Sequence, residues 1–254
     1  MISMPLVKYV LTAALRDRLI LSLILLVLIG TSLSVFLGSA AVTESDQFTI
    51  VFASGGLRIA AVLGLVLFIV FHIRRSFENK EVDYLLTRPI GRVSFLLSHA
   101  LAFTILAVIF ALFIAASMLM LSGGEVSDGL LIWIFSIAIE FIIMANTAMF
   151  FAMVLPNAAA GALAVFAMYI LSRLIGQLLG IVDSGVDLPA FAFLSAVMQV
   201  ISLVIPRLDL MGQTSWLIYG ASEQVGYIYI LLQGIIYTFL LITASLIDLV
   251  KRQF

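Results

Sequence analysis

Six separate runs of twenty or more mostly apolar residues recur along this chain of 254 residues, and they constrain its fold more than any motif does. The first reads "LILSLILLVLIGTSLSVFLGSAAV", Leu19–Val42. The others are Ile50–Ile73, Val93–Leu121, Leu130–Leu155, Ala158–Val182 and Tyr227–Val250. A helix needs about 20 apolar residues to cross the ~30 Å hydrocarbon layer, so each run is long enough to span. A chain that is 64% hydrophobic and 11% charged cannot bury that much apolar surface in a water-soluble core. The bilayer must serve as its solvent. The sequence predicts an all-α polytopic membrane protein, with residues 1–254 forming one transmembrane domain.

Two classes of chemistry drop out on composition, and a cleaved leader drops out on length. A net charge of −1 gives no footing for nucleic acid. The absence of cysteine excludes disulfides, thiolate metal sites and cysteine nucleophiles. The apolar run from Leu19 to Val42 exceeds the ~7–15 residues of a signal-peptide core, so it reads as an uncleaved first span despite the small residues Gly38–Ala41.

Basic residues set the orientation, because lysine and arginine stay on the cytoplasmic side. Six spans with both termini cytoplasmic place Lys8, Arg16, Arg18, Arg74, Arg75, Lys80, Arg88, Arg92, Lys251 and Arg252 inside. Acidic residues dominate the opposite loops: Glu44, Asp46, Glu125, Asp128, Asp183, Asp187, Asp209 and Glu223. A seventh apolar stretch, Leu188–Pro206, is short and bracketed by prolines, and counting it as a span would move Lys251 and Arg252 outside. It reads instead as an outer re-entrant or interfacial hairpin, from about Asp187 to Gly220, with Trp216, Tyr219, Tyr227 and Tyr229 forming an aromatic belt. The N-terminal "PLVKYVLTAALRDR" is too charged to span and predicts a helix lying along the inner interface.

The densest charge lies between spans two and three, in "RRSFENKEVDYLLTRPIGR", Arg74–Arg92. Within it Phe77–Leu86 predicts a short amphipathic helix, with Val82, Leu85 and Leu86 on one face and Glu78 and Glu81 near its positive N-terminal half. Pro89 stops it. An acidic residue followed by Leu-Leu, Pro-Ile and Arg (Glu78, Leu85, Leu86, Pro89, Ile90 and Arg92) resembles the permease subunits of ABC-2-type ABC transporters. Two positions depart from that pattern: Val82-Asp83 replaces the usual Gly-Thr, and His99 stands where a lysine commonly opens the third span.

That resemblance implies a coupling helix docking on a cytoplasmic ABC ATPase subunit through Phe77, Glu78, Glu81, Val82, Leu85, Leu86, Pro89 and Arg92. It implies a second permease copy or a related permease as partner, residence in the bacterial inner membrane among membrane lipids, and export of a hydrophobic or amphipathic substrate. No GxxxxGK[ST] phosphate loop occurs, so the chain is expected to hold no cofactor of its own, with ATP and Mg on the partner ATPase. Neither HExxH nor GxSxG occurs, which disfavours an intramembrane enzyme and leaves no catalytic residue to name. A non-transporting scaffold that docks a cytoplasmic protein through the same helix is the alternative.

Arg58, Glu140 and Arg173 lie inside spans, where ionisable side chains are expensive. At ~1.5 Å per residue their depths below the outer span ends come to about 12, 15 and 14 Å, which permits one intramembrane charge cluster. One acid among two bases suits a static clamp better than a charged transport path. A charge swap between Glu140 and Arg173 is then expected to rescue single substitutions in part. Gly176 and Gly180 form a GxxxG on span five, a weak helix-contact signal. The scattered methionines read as core packing, and His72 and His99 as interfacial histidines; no metal site is expected.

Overall fold

A computed structural model describes residues 2–41, 44–79, 91–183, 197, 200–201, 204–221 and 225–251. Among them every regular element is helical. Helix α1 (Met4–Arg16) is followed by α2 (Leu19–Ser39), α3 (Ser45–Glu78), α4 (Arg92–Leu121), α5 (Asp128–Val154) and α6 (Ala158–Asp183). A 3-10 turn (Leu208–Leu210) and a one-turn helix α7 (Trp216–Tyr219) precede α8 (Tyr227–Lys251). Six of these, α2 to α6 and α8, are long and apolar enough to cross a membrane.

The breaks between helices follow local chemistry. Ser127 caps α5 by accepting a hydrogen bond from the Leu130 amide at 3.1 Å, and Asp128 sits favourably in the first turn. At the other end Leu155 is extended because Pro156 follows it. Asn157 then caps α6, its Oδ1 accepting from the Ala160 amide at 2.8 Å. Three residues thus reverse the chain without a loop.

α5 is the hub, packed against α3, α4, α6 and α8. Its side chains fill the centre of the bundle: Trp133, Phe141, Met144, Met149 and Met153 are all fully buried, so these methionines pack the core as expected, whereas Met120 of α4 is 82% exposed and does not. α2 and α8 lie at the periphery and expose Leu28, Ile29, Phe36, Ile228 and Phe239. In water such faces would aggregate; in hydrocarbon they need no cover.

α1 is amphipathic and lies against α4 and α2, burying Leu6, Val7, Val10 and Ala14. The Ser3 amide donates to Ser98 Oγ at 2.8 Å, which fixes the start of α1 to α4. Arg18, left-handed at φ 57°, turns the chain from α1 into α2.

Several expectations are adjusted. α3 runs unbroken for 34 residues, about 51 Å at the helical rise. Phe77 and Glu78, read from sequence as opening a separate coupling helix, are its last turn. Residues 80–90, which carry the rest of that helix, lie outside the described residues, as does most of the first half of the expected outer hairpin. Trp216 is buried at 2% exposure rather than lying in a surface belt, whereas Tyr219, Tyr227 and Tyr229 are exposed. His72 and His99 are buried too, among Phe68, Phe95 and Phe103 with 6.4 Å between their ring centroids, rather than solvated at the interface. Gly176 accommodates Asp209 of the outer segment, and a side chain on Gly180 would meet none of the described residues. Among the described residues the GxxxG pair makes no helix–helix seam.

Candidate functional site: a buried charge node and two arginine ties

The three in-span charges come together at mid-bundle. Glu140 of α5 is wholly buried, and its Oε2 accepts a hydrogen bond from Arg173 Nη2 of α6 in a close ion pair. Tyr169 donates its hydroxyl to the other oxygen, Oε1, at 3.0 Å. The Arg173 guanidinium lies 5.8 Å from the Tyr169 ring centroid, a cation–π distance. Arg58 of α3 turns instead to the Gly212 carbonyl, to which its Nη1 donates.

One carboxylate between two guanidiniums leaves a surplus positive charge, which is costly at this depth. The segment returning after Pro206 supplies the compensation. Arg173 Nη1 donates to the carbonyls of Leu208 and Met211 at 2.6 and 2.7 Å, while Arg58 takes that of Gly212. Three carbonyl dipoles therefore point their negative ends at the two cations. Ser136 on α5 completes the seat, its Oγ accepting from the Gly212 amide at 2.7 Å. Leu208 and Met211 are fully buried, so this non-helical backbone is covered by protein, the condition for it to persist at membrane depth.

Gly212 is required here twice over. Its φ is +57°, and a Cβ would stand 2.9 Å from Ile137 Cδ1, 3.3 Å from Arg58 Nη1 and 3.4 Å from Glu140 Oε2. Any side chain would wedge the segment away from the node. Just before it, Arg207 is bound by Asp209 through two hydrogen bonds of 2.9 and 2.8 Å, which push the guanidinium pKa further up.

Two more arginines tie the opposite, basic end of the bundle. Arg74, near the end of α3, donates to the carbonyls of Leu155, at 3.1 Å, and Pro156. Arg92, at the start of α4, donates to the last carbonyls of α8, Leu249 at 3.3 Å and Val250 at 2.8 Å. A cation on the free carbonyls of a helix C-terminus satisfies hydrogen bonds and suits the helix dipole. Arg92, grouped by sequence with the docking residues, thus turns inward. Glu78 is exposed and approaches Arg74 at 4.0 Å, whereas Phe77 packs against the core. Glu81, Val82, Leu85, Leu86 and Pro89 fall outside the described residues.

Sequence reading missed Tyr169, Ser136 and the carbonyls of residues 208–212. The first two were legible in principle: Tyr169 precedes Arg173 by four residues, and Ser136 precedes Glu140 by four, so each pair shares a helix face. Backbone carbonyls carry no such signal. Among the described residues no group of three His, Asp or Glu gathers as a metal site.

Fold and site together define a transmembrane, all-helical protein whose spans are pinned by a buried charge node. Compared with known proteins, the chain matches no family model, and no curated protein shows significant similarity to it.

Proposed function

We propose that this chain is the membrane-spanning subunit of an ATP-driven exporter of the ABC-2 type, moving a hydrophobic or amphipathic substrate and powered by a separate cytoplasmic ATPase. The observation that carries the proposal is the Glu78, Leu85-Leu86, Pro89-Ile90, Arg92 pattern in the connection between the second and third of six spanning helices. The basic residues of that connection favour a location for it, and for both termini, on the cytoplasmic side of a bacterial inner membrane.

The ties at its two ends support the reading mechanically. A push on residues 79–91 reaches α5 through Arg74 and α8 through Arg92, and α5 carries Glu140 of the charge node. ATPase closure would then shift α5 and α8 as rigid bodies. The charge node itself acts as a clamp, since the Nη groups of its guanidiniums already hold a carboxylate and three carbonyls.

The test is co-purification with an ATPase that carries its own phosphate loop. The wild-type chain should retain it, and Leu85→Glu or Glu78→Lys should release it without loss of the membrane subunit. Hydrolysis of ATP stimulated by substrate in the reconstituted complex separates an exporter from a docking scaffold. An ATPase that binds both variants as tightly as wild type would refute the docking assignment.

A further inference from the structure

Where the end of α1, the start of α2 and the end of α3 converge, two adjoining cavities of about 400 and 490 Å³ share Asp17, His72 and Arg75. The first carries the polar side chains of Arg16 and Thr12 of α1 and Ser76 of α3. The second continues between α2 and α3 along an apolar wall of Phe71, Phe68, Leu67 and Gly64. From Arg75 back to Gly64 is eleven residues of helix, about 16 Å of travel from the bundle end towards the membrane centre.

We propose that this double cavity binds one anionic phospholipid, its phosphodiester held between Arg16 and Arg75 and one acyl chain laid against Phe68 and Gly64. Three features on the molecule favour this occupant. Charge is the first: among the described residues lining the cavities two guanidiniums meet a single carboxylate, and Asp17 holds Arg75 only loosely, at 3.7 Å with both side chains exposed. A phosphodiester between the arginines would neutralise the surplus and gain charge-assisted hydrogen bonds. Level is the second, because Arg16, Asp17 and Arg75 stand at the basic end of the bundle, beside the start of the spanning helix α2 and the end of the spanning helix α3. Shape is the third. A free phosphate ion would fill only the cavity at Arg16 and Arg75, whereas the continuation along Phe71, Phe68 and Leu67 to Gly64 fits a chain. A Cβ on Gly64 would meet only Phe110 Cε1 at 4.0 Å, so the groove is open where the chain would run.

The site does not depend on the transport reading, only on the chain being embedded in a bilayer. It assigns α1 a lipid-sensing role: a lipid bridging Arg16 and Arg75 staples α1 to the helix that leads into the 79–91 connection.

Native mass spectrometry of the full chain in detergent, incubated with phosphatidylglycerol or with phosphatidylcholine of the same acyl chains, tests the site. Phosphatidylglycerol should be retained roughly tenfold or more over phosphatidylcholine, and Arg16→Gln and Arg75→Gln should each weaken its retention about fivefold. Gly64→Leu, which fills the groove without a backbone clash, should weaken it while the protein still elutes as a folded species. Lys8→Gln, an exposed charge on α1 outside both cavities, should leave it unchanged. Equal retention of the two lipids would overturn the proposal, as would an equal loss on Lys8→Gln. Displacement of the lipid by inorganic phosphate with no effect of Gly64→Leu would also overturn it, assigning a free-phosphate site instead.

Discussion

Glu140 is fully buried, and its two oxygens are spoken for by Arg173 and Tyr169. Removing one partner of a buried, hydrogen-bonded ion pair costs about 3–5 kcal/mol, because the partner charge is left unpaired in low dielectric. Glu140→Gln should therefore lower the unfolding temperature of the detergent-solubilised protein sharply. The geometry also revises how rescue ought to work. The charge swap Glu140→Arg with Arg173→Glu, reasonable from sequence, would aim a carboxylate at the carbonyls of Leu208 and Met211 and repel them. Deleting charge is the better compensation: Glu140→Gln combined with Arg58→Gln restores the net charge of the node and should recover part of the lost stability. A double variant less stable than Glu140→Gln alone would show that Arg58 is not balanced by Glu140.

At the scale of elements, the helix ends on either side of the connection between α3 and α4 are each tied to a neighbouring helix end. Arg74 secures the end of α5 and Arg92 the end of α8, through charge-assisted bonds to terminal carbonyls worth about 1 kcal/mol each. Hydrogen–deuterium exchange reads the two ties separately. Arg92→Gln should raise exchange in the last turns of α8 about fivefold, and Arg74→Gln should do so around residues 150–157 instead. Changes in the same peptides for both variants would argue against two independent ties. Sequence periodicity gave no hint of this. Long apolar helices show where they begin and end through caps such as Ser127 and Asn157, but a surface arginine looks alike whether it faces solvent or a neighbouring helix end.

For the whole molecule, the six spans and the distribution of lysine and arginine predict that the 79–91 connection and the acidic Ser122–Ser127 loop lie on opposite sides of the membrane. The chain has no cysteine, so single introduced cysteines report topology without background. Val126→Cys, at 62% exposure, should react with an impermeant maleimide on intact cells. Asn79→Cys, also exposed, should react only after the membrane is opened. The opposite pattern would invert the orientation and with it the cytoplasmic docking of residues 77–86.

What the amino-acid sequence determined by itself is the solvent of this protein, the number of its spans and the presence of three charges at matching depth. These follow from local quantities: the length of an apolar run, a residue's distance from its end, a cap, a proline. Only the tertiary structure decided that the segment after Pro206 returns into the bundle and presents the carbonyls of Leu208, Met211 and Gly212 to two arginines. It also decided that Arg92, at the start of α4, bonds to the last carbonyls of α8. Those bonds are accepted by backbone carbonyls, which every residue carries alike, across more than thirty positions of chain. Their energy depends on burial and approach that no local pattern encodes.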